Sequence, residues 1–155
     1  MEHVVILGNG IAGITAARHI RKNSDKRITI ISAEADYFFS RTALMYVYMG
    51  HMRWQDIEPY EDWFWQKNRL ELKKGWVEKV DVGQKQLIFA QGEKFSYDTL
   101  IIASGSLTAK YNWPGQDLNG VQGLVTKQDL ELLEKNAPSN KTCKHAVIIG
   151  GGLIG

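Results

Sequence analysis

The sequence has 155 residues, of which 44% are hydrophobic and 23% charged, and its formal net charge is +2. That balance suits one ordinary globular domain, or one domain and the start of another, and excludes a nucleic-acid arm or a polybasic membrane tail as the main theme. Cys143 is the single cysteine, which excludes an intramolecular disulfide and a cysteine-based metal cluster.

No apolar run approaches the roughly 18 residues needed to span a bilayer. The run after Met1-Glu2-His3 is too short for the core of a signal peptide. A cytoplasmic α/β protein with no nucleic-acid or membrane partner is expected. In chain order, Val4-Val5-Ile6-Leu7 has the β-branched character of a buried strand and ends in glycine. Ile11, Ile14, Ala17 and Ile20 recur at helical spacing to about Asn23, with Arg21 and Lys22 in the last turn, where cations suit the helix dipole. After the turn Asn23-Ser24-Asp25-Lys26, Ile28-Thr29-Ile30-Ile31 reads as a second buried strand. Strand, glycine turn, helix and strand make a βαβ unit with a right-handed crossover.

Residues 37–66 are crowded with aromatics, and Pro59 is placed to open a short helix running to about Asn68. Trp54, Trp63, Trp65 and Trp76 are expected mainly in core and interdomain packing, with a cover over a bound ligand or a partner surface as the alternative. From Leu70 to Phe95, short strand-like pieces alternate with Gly75, Gly83 and Gly92, which predicts a small antiparallel meander. Thr99-Leu100-Ile101-Ile102-Ala103 is another buried strand, and Lys127 to Asn136 reads as a helix.

The tail repeats the head. His3 to Gly13 matches His145 to Gly155 at a constant offset, with six of eleven positions identical and three glycines in register. Similarity between two buried strands does not explain the glycines, so two dinucleotide folds in one polypeptide are expected. The second copy breaks off at its third glycine, and the chain is therefore expected to be a piece of a longer protein.

Gly8-Asn9-Gly10-Ile11-Ala12-Gly13 fits G-x-G-x-x-G between a strand and a helix. Gly8 would allow the tight turn, Gly10 would admit a pyrophosphate to the backbone, and Gly13 would let helix and strand pack closely. The N–H groups around Ile11 and Ala12 would face the anion with the positive end of the helix dipole. A ribose needs an acceptor about 20 residues further on. Glu34, after Ala33, is the first choice, with Asp36 and Ser32 as alternatives. An acid there would repel a 2′-phosphate.

Ser96 to Ser106, reading SYDTLIIASGS, resembles the Y-D-x-L-I-I-A-[ST]-G-S signature of the two-dinucleotide-domain flavoproteins, the pyridine nucleotide-disulfide oxidoreductase superfamily. Trp113 to Val121 is similar to that family's P-G-x-D-x-x-G-V linker. The resemblance implies a Rossmann-like FAD-binding domain with a parallel sheet and a small antiparallel meander over residues 1–112. A linker with a helix would cover 113–144, and the first strand of a second Rossmann-like domain would begin at 145–155. It further implies that Gly8, Gly10, Ile11, Ala12 and Gly13 hold the FAD pyrophosphate and that Ala33 and Glu34 meet the ribose. By the same resemblance, Arg41 and Thr42 approach the flavin, the Val77 backbone meets the adenine, and Ala103, Ser104 and Gly105 line the cofactor. Gly150, Gly152 and Gly155 would begin an NADH site.

No cysteine lies before Cys143, so dithiol chemistry has no thiolate in this segment. The resemblance then points to the branch in which electrons pass from NADH through FAD to an external acceptor, a small protein or a small molecule. NADH–rubredoxin and ferredoxin reductases and the flavin module of nitrite reductase are of this kind. Those relatives often read R-P-x-L-S-K where this chain reads Arg41-Thr42-Ala43-Leu44-Met45-Tyr46. Assembly as a homo-oligomer is a further implication. The alternative reading is a non-catalytic Rossmann module that senses a nucleotide.

Overall fold

The computed structural model describes residues 1–138, 143 and 145–151. In chain order its elements are β1 (His3–Leu7), α1 (Ile11–Asn23), β2 (Arg27–Ser32), α2 (Leu44–Tyr48) and α3 (Asp62–Lys67), followed by β3 (Leu70–Lys74) and β4 (Val77–Asp81). Then come β5 (Gln86–Phe89), β6 (Lys94–Ser96), β7 (Thr99–Ile102) and α4 (Lys127–Asn136). Contacts divide the chain into two units, Met1–Phe39 with Glu58–Ser106, and Ser40–Ile57 with Leu107–Gly155.

In the first unit, β3, β2, β1 and β7 form a parallel sheet in that order, and β4, β5 and β6 form an antiparallel one. Strand β1 lies inside the parallel sheet because it is apolar on both faces. Val4 and Ile6 pack with Ile14 and Ala17 of α1, Ile28 and Ile30 of β2, and Trp65 of α3. Val5 joins Ile31, Leu87, Phe89 and Tyr97 on the opposite face. Ile6, Ile14 and Ile28 are fully buried, and burial of each such side chain is worth about 1.5–3 kcal/mol.

Two expectations for this unit are corrected. Leu70–Lys74 belongs to the parallel sheet, pairing with β2 from Ile28↔Leu70 to Ser32↔Lys74, and only Val77 to Ser96 forms the meander. The reason is α3, whose helical crossover returns the chain in the same direction as β2. That helix starts at Asp62 rather than at Pro59. The aromatics also divide. Trp65 is buried in a cluster with Tyr37, Tyr60 and Phe64, stacking on Tyr37 with ring centroids 5.7 Å apart. Trp63 and Trp76 instead stand in solvent, 55% and 66% exposed.

The second unit carries 3-10 turns at Arg41–Ala43 and Trp54–Ile57 together with α2 and α4. Its buried apolar residues include Ala43, Leu44, Ile57 and Leu130. Ser40 N donates to the Ile57 carbonyl at 2.8 Å, which closes the neck of the 40–57 excursion. Thr126 opens α4 with a reciprocal cap. The Asp129 N–H donates to Thr126 Oγ1 at 3.0 Å, and the Thr126 N–H donates to Asp129 Oδ2 at 2.8 Å. Tyr48 Oη donates to the Ala137 carbonyl at 2.8 Å, and Lys127 Nζ stands 4.8 Å from the Trp54 ring centre.

Residues 145–149, expected to open a second parallel sheet, pair with no strand among the described residues, and Val147, Ile148 and Ile149 are exposed. A parallel strand exists only through its neighbours, and no described strand pairs with this segment. Gly150 nevertheless has φ 109°, close to the 116° of Gly8, its counterpart in the repeat. Gly152 and Gly155 lie outside the described residues.

Candidate functional site

The carboxyl ends of the parallel strands meet around Gly8. Its N–H donates to the Ile31 carbonyl at 2.8 Å, and the Ala103 N–H donates to the Leu7 carbonyl at 2.8 Å. A Cβ on Gly8 would stand 2.1 Å from the Ala103 carbonyl oxygen, and the positive φ independently favours glycine. This contact is what brings Ala103 and Ser104 beside the first turn. Gly13 is crowded in turn: a Cβ there would lie 2.0 Å from the Gly8 carbonyl oxygen.

Gly10 is the opposite case. Apart from its chain neighbours, no atom lies within 4 Å of the place a Cβ would take. It caps α1 in an extended conformation with no side-chain cap, and no acidic residue occupies the first turn. Ile11 and Ala12 are exposed there. The amino end of α1 therefore presents N–H groups and a positive dipole end to an open face, with no carboxylate in that turn, an arrangement that suits an anion. Two glycines are needed for compactness and the third leaves room.

The next strand end carries the acids. Glu34 is half-buried, and its N–H donates to Ser32 Oγ at 3.2 Å. Ala33 is exposed beside it. Asp36 is held by Lys74 at 2.8 Å. Asn9, a variable position of the motif, is buried, and its Nδ2 donates to the Ala35 carbonyl at 3.1 Å, so it ties the glycine turn to the acidic loop. Nothing in the local sequence marks Asn9, and only its burial distinguishes it. A cavity of about 560 Å³ lies at the carboxyl ends of β2 and β3, with Ile30, Leu70 and Leu72 among its apolar lining and Asn9, Ser32 and Asp36 among its polar lining. Trp65 also lines it, and its Nε1 is buried without a hydrogen-bond partner among the described residues.

Val77 opens β4, half-buried against the Leu87–Phe89 cluster. Ser104 and Gly105 follow β7 on the surface. Arg41 and Thr42 belong to the second unit, where the Arg41 guanidinium donates to the Val125 carbonyl and Thr42 Oγ1 shares a hydrogen bond with Ser40 Oγ at 3.3 Å. The structure thus gathers the glycine turn, Ala103 and the acidic loop in one unit.

The amino ends of the strands hold a separate polar chain. His3 Nε2 donates to Thr29 Oγ1 at 2.8 Å, and that hydroxyl donates to Glu71 at 2.8 Å. Arg27 pairs with the same carboxylate. Burial, and then the Arg27 charge, pushes the His3 imidazole below its usual value, while the Arg27 hydrogen bond holds Glu71 below the usual carboxylate range.

A family model described as pyridine nucleotide-disulphide oxidoreductase matches residues 2–155. The chain is 32% identical over 156 residues to the ferredoxin–NAD(+) reductase subunit of the benzene 1,2-dioxygenase system of Pseudomonas putida, a match covering 99% of this chain and 37% of that protein. It is 33% identical over 158 residues to the nitrite reductase [NAD(P)H] of Bacillus subtilis, covering 99% of this chain and 19% of that protein. Among solved structures, NADH:rubredoxin oxidoreductase from Clostridium acetobutylicum superimposes with a TM-score of 0.75 at 27% identity, covering 87% of this chain and 35% of that one. The chain thus spans well under half the length of the curated relatives it matches.

Proposed function

The chain belongs to the pyridine nucleotide-disulphide oxidoreductase family, and from that premise we propose that it is the FAD-binding portion of an NAD(P)H-dependent flavoprotein oxidoreductase. Electrons would leave to an external acceptor, by a route that uses no pair of cysteines in these residues. The observation that carries the reading is the glycine turn: Gly8 and Gly13 are closed by backbone contact while Gly10 faces open space at an uncapped helix end. That combination fits the pyrophosphate of a dinucleotide and is not needed for packing alone.

The flavin, when bound, supplies the hydride and electron chemistry. This chain's residues bind and orient. Gly8, Gly10, Ile11, Ala12 and Gly13 would hold the pyrophosphate through backbone N–H groups. Ala33 and Glu34 would meet the ribose, Glu34 accepting from its hydroxyls. Ala103, Ser104 and Gly105 would line the turn from the β7 side, and the Val77 backbone would meet the base. Arg41 and Thr42 are assigned to the flavin side, and Gly150, Gly152 and Gly155 to the start of an NADH site. In this reading residues 1–112 carry the FAD domain, 113–144 a linker and 145–155 the opening of the nicotinamide domain. The acceptor is a small protein or small molecule, in keeping with the ferredoxin in the name of one relative. Among the described residues no helix is long and apolar enough to cross a membrane.

The test is the visible spectrum of the purified protein, taken again after adding FAD and removing the excess by gel filtration. A retained flavin band that is released as FAD on denaturation is the expected result. A protein that stays colourless yet binds NADH would refute it in favour of a nucleotide sensor.

A further inference from the structure

We propose that Trp76 is the stacking platform for the adenine ring, and this rests on the dinucleotide reading of the same site. Sheet order gives the direction. The anion-binding turn follows β1, the ribose acid follows the neighbouring β2, and β3 is the next strand outward. A nucleotide laid across the carboxyl ends of these strands reaches the end of β3 with its base. Trp76, just after that end, is an exposed large ring.

Ser32 fixes the two positions to each other. Its carbonyl accepts from the Gly75 N–H at 2.9 Å, and its Oγ accepts from the Glu34 N–H at 3.2 Å. The acid and the tryptophan therefore flank one residue's hydrogen bonds. The corner that carries Trp76 is clamped on its other side as well. The Ala90 N–H donates to the Trp76 carbonyl at 3.0 Å, and a Cβ on Gly75 would stand 2.6 Å from the Phe89 ring. A rigid corner presents its side chain at little entropic cost when a ligand arrives. Trp76 is 66% exposed and takes part in no ring contact among the described residues, whereas Tyr37, Tyr60, Phe64 and Trp65 all pack on one another. Its indole face is thus available to a planar base.

Calorimetric titration with ADP, and separately with FAD, of the parent protein, Trp76→Leu and Trp76→Phe tests this. Trp76→Leu is expected to weaken both ligands about 5- to 100-fold, the range of a lost base–aromatic stack, while Trp76→Phe stays within about threefold of the parent. Subtracting the Trp76→Phe emission from that of the parent isolates Trp76, and ADP is expected to quench it. A parent that binds ADP with Trp76→Leu binding it equally well, or with Trp76 emission unmoved at saturation, overturns the platform and leaves the dinucleotide reading standing. A parent that binds neither ADP nor FAD overturns both.

Discussion

Replacing Gly13 by alanine adds one carbon to α1 at a point where the helix touches the glycine turn. The new Cβ would lie 2.0 Å from the Gly8 carbonyl oxygen and 3.2 Å from Ile6 Cγ2. Carbon–oxygen contacts settle at about 3.3 Å or more, so helix and turn would have to part by about 1.3 Å. The turn cannot give way alone, because Gly8 is bonded to Ile31 and pressed against Ala103. Overpacking costs about 1–3 kcal/mol, and a clash of backbone on backbone at 2.0 Å belongs at the upper end of that range, so the helix-propensity gain of about 1 kcal/mol offsets only part of it. Gly10→Ala is the internal control. It has nothing within 4 Å to meet, and its φ of −71° suits any residue. The entropy gained from restricting the unfolded chain, about 0.4–1 kcal/mol, roughly cancels the poorer cap. Thermal unfolding followed by circular dichroism should therefore show Gly13→Ala melting several degrees below the parent, at about 2–4 °C per kcal/mol, and Gly10→Ala unchanged. In FAD or ADP titrations Gly10→Ala should lose affinity despite its intact fold. Equal melting of the parent and Gly13→Ala would refute the packing argument, and undiminished ligand affinity in Gly10→Ala would refute the open-face argument.

Glu34→Ala should weaken ADP binding about 10- to 100-fold in a calorimetric titration, since hydrogen bonds to a charged acceptor are worth about 1.5–3 kcal/mol; unchanged affinity would move the ribose contact to another residue. Phe89→Ala empties a site that is 2% exposed beneath Gly75 and should cost about 3–5 kcal/mol, read from the midpoint of urea unfolding. Thr126→Ala removes the side-chain half of the reciprocal cap; the loss of about 1 kcal/mol should lower amide-exchange protection in α4 about fivefold. Because burial depresses His3 in the folded state, the unfolded chain binds the extra proton. Stability should therefore be full above the unfolded value of about 6.5 and fall as the pH drops below it. His3→Gln should flatten the melting temperature between pH 7.5 and 5.5, and parallel profiles would count against the assignment.

Much of the first unit is legible before any coordinates, because its signals are local. β1, β2 and β7 are short β-branched runs, and the glycine turn sits where strand gives way to helix. Leu70–Lys74 is ambiguous by local pattern. Its alternating Leu-Glu-Leu-Lys pattern describes a strand with one wet face, which an antiparallel meander and the edge of a parallel sheet share. Only the crossover through the short helix α3 decides between them. Residues 145–149 show the converse: an apolar run predicts a strand, and pairing depends on partners that no local pattern supplies. At the site, Gly8, Gly13 and Glu34 stand out by spacing. Asn9 and Trp76 do not, since the burial of one and the exposure of the other arise from strand ends brought together in space. Residues 40–57 carry short helical turns set by tertiary contact, too brief for a periodicity to register.

The sheet order has a consequence for how the protein is made. β1 leaves the ribosome before the strands it pairs with, yet it ends up inside the sheet, and its pairing with β7 joins residues 95 apart, as in Val4↔Thr99. At about 5–20 residues per second, one flank of this very apolar strand waits on the order of 5–20 s for its neighbour. During that interval the nascent chain displays an open edge of Val4, Val5 and Ile6, the kind of template on which chains join one another. Yield in the cell would then depend on translation speed and on chaperone cover over the stretch between β1 and β7, as much as on the stability of the finished fold.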